Sequence, residues 1–146
     1  MRIAIDAMTC EQGVETVLAG CLLAIREHAD VILVLYGDRQ RLERGMCEWP
    51  QEYRDRVEVQ NAEQIISQDD DPLRTLRSKR LSSTHEAIRS VQENKAKAVV
   101  SCANTGAYIA AARYYLRRID GFSSPALLAS FPTRNPERDV HLVDIG

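Results

Sequence analysis

The sequence predicts an α/β fold in which a mainly parallel β-sheet lies between two layers of helices. Short apolar runs rich in β-branched residues alternate with segments of helical periodicity from the first residues onward. Residues 31–36, VILVLY, form an uninterrupted apolar run of the kind that is buried on both faces of a parallel sheet. Repeated strand–helix units fold into three-layer sheets with right-handed crossovers. The predicted class is therefore a Rossmann-like sheet.

Each element is predicted from its own pattern. From Val14 to Ile25, apolar residues recur at i, i+3, i+4, i+7, i+8 and i+11, which is one face of an amphipathic helix. Turn-forming residues at 132–139 predict a hairpin between the last two strands. The predicted order is strand 3–5, helix 14–25, strand 31–36, a helical segment 39–55 interrupted at Gly45 and Pro50, strand 57–59, a helix from Pro72, helix 82–94, strand 98–101, helix 104–117, strand 126–131 and strand 140–145.

Polar residues mark two of the predicted helix starts, and for the first of them a metal site is the alternative. The acidic run at residues 69–71 precedes Pro72, which suits the first position of a helix, and carboxylates there favour the helix dipole. This start is favoured over a metal site, because three adjacent side chains diverge. Farther along, Ser83 and Glu86 have the spacing of a capping box.

The composition is that of one globular domain spanning residues 1–146. The chain is 45% hydrophobic and 27% charged, which is ordinary for a folded protein. Its net charge of −2 and its aromatic content of 5% argue against a nucleic-acid partner, which needs a basic surplus or stacking platforms.

The cysteines and histidines give no sign of a metal site or of structural disulfides. Cys10, Cys21, Cys47 and Cys102 are scattered without a CxxC pair, and the three histidines lack the spacing of zinc ligands. The sequence opens directly on its first strand, and no apolar run reaches transmembrane length. We therefore expect a cytoplasmic protein with reduced thiols and without a metal or other cofactor.

The most informative segment is residues 101–107, SCANTGA, which joins an apolar strand to a helix. Ser101, Asn104 and Thr105 offer hydroxyl and amide groups at this turn, and Gly106 lets a ligand approach the backbone. Backbone N–H groups at a helix start bind anions together with the helix dipole. The alternative is that Asn104 or Thr105 only caps the helix. The residues alone favour capping.

A basic segment and one strand-end carboxylate are further candidates. Cations beside two hydroxyls could hold a phosphate, although composition favours a solvated helix face. These residues are Arg74, Arg77, Lys79 and Arg80, with Ser82 and Ser83.

Asp6 ends the first strand, where it could orient a ligand or cap a helix. Isolated His85 and His141 do not support a catalytic histidine, and the sequence contains no GxGxxG, P-loop or GxSxG motif.

Six segments, in family order, resemble the bacterial phosphate acyltransferase (PlsX) family of fatty acid and phospholipid synthesis. They are MRIAIDAM at 1–8, VLYGD at 34–38, LRSKRLSS at 76–83, KAKAVVSCANTGAYIAAA at 95–112, PALLASFPT at 125–133 and LVDIG at 142–146. Each segment alone is weak evidence, whereas the ordered set is specific and covers the entire chain. The resemblance implies the isocitrate/isopropylmalate dehydrogenase-like fold, of which this chain matches the N-terminal part.

The resemblance implies an acyl-carrier-protein:phosphate acyltransferase, in which inorganic phosphate attacks the thioester of an acyl carrier protein and releases an acyl phosphate. Such chemistry needs phosphate held in line with the carbonyl and donors for the developing oxyanion. Through the family's SAGNTGA and K-x-x-S-S stretches, the resemblance implies catalytic roles for Asn104 and Lys79. It implies phosphate-binding roles for Asp6, Ser82, Ser83, Ser101, Thr105 and Gly106.

The sequence also departs from the family pattern. Residues 6–11 are DAMTCE where the family has DAMGGD, so two glycines of a turn are lost, and Ala103 and Leu81 replace a glycine and an aspartate. Family members are longer, and a second half completes their cleft and adds elements tied to dimerisation and membrane-surface contact. The alternative is therefore a truncated, non-catalytic homologue that acts as a ligand-binding or interaction module. We expect self-association, because exposed strand edges seek partners.

Overall fold

The structure is a computed structural model that describes residues 1–121, 126–135 and 137–143. Four parallel strands form a sheet with helices on both faces, and two antiparallel strands form a separate hairpin toward the end of the chain. This arrangement confirms the predicted three-layer, Rossmann-like α/β class with a C-terminal hairpin. Residues 144 and 145 of the last predicted strand lie outside the described residues.

The elements follow the predicted order, and their ends differ from the predicted ones by only a few residues. They are β1 (Arg2–Asp6), α1 (Val14–Glu27), β2 (Ile32–Gly37), α2 (Arg39–Gly45), α3 (Gln51–Arg54), β3 (Val57–Asn61), α4 (Pro72–Ser78), α5 (Ser83–Gln92), β4 (Ala98–Val100), α6 (Thr105–Tyr115), β5 (Leu128–Pro132) and β6 (Asp139–Val143).

The sheet has the order β3-β2-β1-β4, so that β1 lies between β2 and β4. In this register Ile5 of β1 pairs with Leu35 of β2 on one side and with Val100 of β4 on the other. The residues that follow these pairs, Asp6 and Ser101, consequently emerge at the same carboxyl edge of the sheet. Ligands of open parallel sheets bind at this edge.

The core lies on both faces of the sheet. On one face the apolar stripe of α1 packs against alternate residues of β1 and β2, and α2 closes that side. On the other face Ala4, Val34 and Tyr36 pack with Ala87 of α5. Side chains of successive strand residues point to opposite faces, so both faces of these strands are buried. The uninterrupted apolar run at residues 31–36 follows from that double burial.

Local signals explain where several helices begin and end. The predicted breaks at Gly45 and Pro50 are confirmed, since α2 ends at Gly45 and Pro50 is the N-cap of α3. A Cβ at Gly45 would lie 2.3 Å from Cδ1 of the buried Leu18, so this close contact between α2 and α1 requires glycine. Asp71 caps α4 and accepts from the N–H of Arg74, with Pro72 in the first turn.

The predicted capping box of α5 is wrong. Ser82, rather than Ser83, is the N-cap, and its Oγ accepts a hydrogen bond from the N–H of His85. This shift places Glu86 four residues after the cap, too far along for a capping box, and Glu86 instead forms an ion pair with Arg89. Among the described helices, none is both long and apolar enough to cross a membrane.

Candidate functional site

The buried carboxylate of Asp6 is the centre of the site. Asp6 is only 2% exposed, and its Oδ2 accepts hydrogen bonds from the hydroxyls of Thr9 (2.9 Å), Thr84 (2.7 Å) and Ser101 (2.7 Å). Thr9 follows β1, Thr84 lies in the first turn of α5, and Ser101 follows β4. One carboxylate oxygen therefore joins three separate segments. Each hydroxyl donor replaces a hydrogen bond to water that the carboxylate loses when it is buried.

Hydrogen bonds hold the loop after β4 at both of its ends. The Oγ of Ser101 also accepts from the N–H of Ala103 at 3.0 Å. Asn104 is the N-cap of α6, since its Oδ1 accepts from the N–H of Ala107 at 3.1 Å, while its Nδ2 donates to the Gln68 carbonyl at 2.6 Å. The structure thus confirms that Asn104 caps the helix. The amide still has a second Nδ2 hydrogen, so capping and ligand binding do not exclude each other.

The first turn of α6 supplies further donors. The N–H groups of Thr105 and Gly106 lie at the start of the helix. The helix therefore contains no carbonyl four residues earlier that could accept their hydrogen bonds. Both residues are exposed. A Cβ at Gly106 would lie 3.0 Å from Cγ of Pro72 and 3.3 Å from Oδ1 of Asn104, so glycine permits α6 to begin close against α4. These N–H groups have the arrangement with which helix starts can bind anions.

Lys79 lies in an ion pair with Asp70. Its Nζ donates to Oδ2 of Asp70 at 2.5 Å and to the carbonyl of Ile65 at 2.8 Å. The Lys79 ammonium holds the pKa of Asp70 below its usual range, with help from the N–H of Ser67. Residues 64–70, here called the connecting segment, therefore bind Lys79, and through Gln68 they also bind Asn104. The two predicted catalytic side chains are attached to one segment at different residues.

Ser82 and Ser83 are fully buried at the start of α5. Ser82 caps the helix, whereas the Oγ of Ser83 is buried without a hydrogen-bond partner among the described residues. Together with Asp6, these two side chains lie below the surface in this arrangement. A ligand reaches them only if a covering segment moves, while Ser101, Thr105 and Gly106 lie closer to solvent.

His85 is also fully buried, and it lacks a hydrogen-bond partner at either ring nitrogen in the part of the chain that the structure describes. Its ring meets the ring of Tyr115 edge-on, with centroids 5.6 Å apart. Burial lowers the pKa of His85, and the positive charges of Arg89 and Arg80 lower it further. The sequence marked His85 only as isolated, and its burial follows from packing of α5 against α6.

The basic cluster predicted from the sequence divides in the structure. Arg74, Arg77 and Arg80 line one open depression with Leu73 and Tyr114. Lys79 is directed instead toward Asp70. The structure therefore separates Lys79 from the three arginines of the predicted cluster.

Three residues of the site were missed in the sequence. Thr9, Thr84 and Gln68 each bind a predicted residue, namely Asp6 or Asn104. The spacing of Thr9, three residues after Asp6, is a local signal that could have pointed to it. Thr84 and Gln68 lie far along the chain from their partners, so no local pattern marks them.

Comparison with known proteins places this geometry in context. The chain matches the family described as fatty acid synthesis protein over residues 1–146. It is 37% identical over 145 residues to a phosphate acyltransferase of Coxiella burnetii, covering 99% of this chain and 42% of the relative. For the phosphate acyltransferases of Brevibacillus brevis (37%) and Hydrogenovibrio crunogenus (34%), the match covers 100% of this chain and 42% of the relative. The chain spans about two fifths of the length of these relatives.

Proposed function

Because the chain belongs to the family of fatty acid synthesis proteins, we propose that it supplies the phosphate-binding part of an acyl-carrier-protein:phosphate acyltransferase of phospholipid synthesis. The observation that carries this proposal is the anchored turn of Ser101, Asn104, Thr105 and Gly106. It presents N–H and amide donors at the carboxyl edge of the sheet, where an anion is expected to bind.

In the proposed reaction an oxygen of inorganic phosphate attacks the carbonyl carbon of an acyl thioester. The carbon–sulfur bond breaks, the carrier leaves as a thiol after taking up a proton, and an acyl phosphate remains. The N–H groups of Thr105 and Gly106 would hold phosphate, and the free Nδ2 hydrogen of Asn104 would stabilise the developing oxyanion. Lys79 would neutralise phosphate charge after exchanging Asp70 for the ligand.

The buried members of the predicted site have a supporting part in this proposal. Asp6 fixes Ser101 directly, and Ser82 fixes the start of α5, from which Thr84 reaches the same carboxylate. Ser83 retains an unused hydroxyl that could meet phosphate if the connecting segment shifts. Positioning of this kind matters because displacing a catalytic group by about 1 Å can reduce a rate roughly a hundredfold.

The proposal is tested in a chimaera in which the remaining part of the Coxiella burnetii relative follows this chain. Acyl phosphate made from an acylated carrier protein and inorganic phosphate is trapped with hydroxylamine and measured as the hydroxamate. We expect the chimaera to form it and Asn104→Ala to lose about a hundredfold or more, as for loss of an oxyanion donor. We expect no product from the 146-residue chain alone.

Asn104→Ser is the matched control, because serine preserves the N-cap but lacks the amide donor. If Asn104→Ser folds and is as inactive as Asn104→Ala, the loss comes from the amide group, through the substrate or through its bond to the Gln68 carbonyl, and not from loss of the cap. An Asn104→Ala chimaera with the full rate would contradict the assignment, and turnover by the chain alone would contradict the need for a second half. The unmodified relative verifies the assay.

A second candidate function is a non-catalytic interaction module, and the replaced turn at residues 6–11 favours it. Thr9 now occupies this turn with a side chain that binds Asp6, in place of a bare backbone. If the chimaera binds a carrier protein or phosphate without turnover, this second function is supported. Under either function we propose that the protein is cytoplasmic and self-associates.

A further inference from the structure

Two of the four cysteines lie side by side at the edge of the candidate site. Cys10 belongs to the turn after β1, and Cys102 belongs to the loop after β4. Both side chains line one apolar groove between α1 and the sheet, and burial together with the neighbouring Cys10 side chain raises the pKa of the Cys102 thiol. Their sequence positions lie far apart, so this proximity is created by the fold.

The backbone beside each cysteine is fixed independently of the thiols. Thr9 precedes Cys10 and Ser101 precedes Cys102, and the hydroxyls of Thr9 and Ser101 lie 3.4 Å apart. Both hydroxyls also donate to the same oxygen of Asp6. The two thiols are therefore held near each other by a buried network, which lowers the entropy lost when they join.

The other two cysteines lack this combination of proximity and access. Cys21 is 5% exposed in the core, and burial raises its pKa to about 11. Cys47 is exposed, but it follows α2 and lies outside the groove. Cys10 is partly exposed and Cys102 is exposed, so a small reagent can reach the pair.

We propose that Cys10 and Cys102 are a redox-active pair that forms an intrachain disulfide by exchange with a low-molecular-weight disulfide such as oxidised glutathione. In the first step one cysteine thiolate attacks a sulfur of the reagent, the reagent's S–S bond breaks, and one glutathione thiolate leaves. In the second step the other cysteine attacks the protein sulfur of the mixed disulfide and expels the second glutathione. Two protein thiols are oxidised, one glutathione disulfide is reduced, and the two cysteine protons end on two glutathiones.

The disulfide would tie the turn at Cys10 to the loop that leads to Asn104. The carbonyl of Cys102 already accepts from Nε2 of Gln68, so the bond would connect the turn after β1 with the connecting segment. In a reducing cytoplasm such a disulfide is transient, so it would report the redox state of the thiol pool and would not stabilise the fold permanently. The proposal stands apart from the acyltransferase function, because it is measured on the thiols alone.

The test equilibrates the full 146-residue chain in glutathione buffers of increasing oxidised fraction, followed by acid quenching, alkylation, digestion and mass spectrometry. Glutamyl endopeptidase cleaves at Glu11 and Glu15 and so separates Cys10 from Cys21. We expect a peptide pair joined through Cys10 and Cys102, two hydrogens lighter than its parts, with Cys47 carrying at most a single glutathione. Burial, Cys10 and Asp6 raise the pKa of Cys102, so the exchange should quicken as pH rises.

The variants Cys10→Ser and Cys102→Ser should lose the joined peptide and accumulate glutathione on the remaining cysteine. Cys47→Ser is the matched control and should retain the joined peptide in full. Circular dichroism verifies folding, and the wild-type result is decisive even where a variant fails to fold. The proposal is overturned if wild type yields only separate glutathione adducts at Cys10 and Cys102, or if either cysteine joins Cys47 of a second copy.

Discussion

At the scale of single residues, His85 makes the stability of the protein depend on pH. Its ring is fully buried without a hydrogen-bond partner among the described residues, and burial, Arg89 and Arg80 lower its pKa in the folded state. In the unfolded chain a histidine has a pKa of about 6.5, so the unfolded state binds the proton more readily. Stability from the neutral ring is therefore complete above that pH, and it is lost as the pH falls toward the lowered folded value.

We predict that the free energy of unfolding, measured in urea, decreases between about pH 7.5 and 5.5 and that His85→Leu removes part of this decrease. Leucine fills a similar buried volume and takes up no proton. His28→Gln is the control, because His28 is exposed, and it should leave the dependence unchanged. An identical pH dependence in wild type and His85→Leu would contradict this account.

The positions of candidate-site residues were predictable from sequence when a local rule placed them. Asp6 and Ser101 follow apolar strands, and parallel strands bring such ends to one edge. Asn104 precedes a helical pattern, which is why capping was predicted correctly. The hydroxyl of Thr84 reaching Asp6 was not predictable, since it depends on how α5 packs against β1 across 78 positions of sequence.

At the scale of elements, the packing of α1 against α2 depends on Gly45. A Cβ there would lie 2.3 Å from Cδ1 of Leu18, which is buried and cannot move aside freely. We predict that Gly45→Ala lowers the free energy of unfolding by about 1 to 2 kcal/mol, because overpacking outweighs the gain in helix propensity. Urea denaturation measures the change.

Gly20 provides a matched control within α1. A Cβ at Gly20 meets no atom within 4 Å, so Gly20→Ala adds a methyl group without a clash. It should stabilise the protein by about 0.5 to 1 kcal/mol through helix propensity alone. If both substitutions stabilise the protein, the contact between Gly45 and Leu18 does not limit the packing of the two helices.

Helices were predicted well where their ends carried punctuating residues. Gly45, Pro50 and Pro72 marked breaks or starts that the structure confirms. The predicted N-cap of α5 lies one residue too late, because Ser82 and Ser83 are chemically equivalent caps in the sequence. Tertiary contact decides between them, since the Ser83 N–H is bound by the carbonyl of Gln64.

At the scale of the whole molecule, alternating strands and helices predicted the parallel sheet, and a turn-rich stretch predicted the hairpin. The sheet order β3-β2-β1-β4 could not be predicted from the pattern, because periodicity identifies strands but not their neighbours. The proximity of Cys10 and Cys102 could not be predicted either, since it results from β1 pairing with β4.

The hairpin presents an apolar face that carries the last prediction. Residues opposite each other in an antiparallel pair share a face, and alternate pairs share the same one. The pairs Ala129–Leu142 and Phe131–Val140 therefore form a continuous apolar face. Phe131, Val140 and Leu142 are 49%, 50% and 47% exposed, and an isolated two-stranded hairpin is only marginally stable in water. Covering this face would stabilise the hairpin.

We predict that the 146-residue chain self-associates through this face and that Phe131→Lys shifts it toward monomer. A charge in the centre of the face would have to be buried without a partner, which is costly. Leu23→Lys is the control, since Leu23 is 57% exposed but lies on α1, and it should leave the distribution of species unchanged. Light scattering over a range of concentrations measures the mass, and a concentration-independent monomer in wild type would remove the hairpin face as an interface between copies.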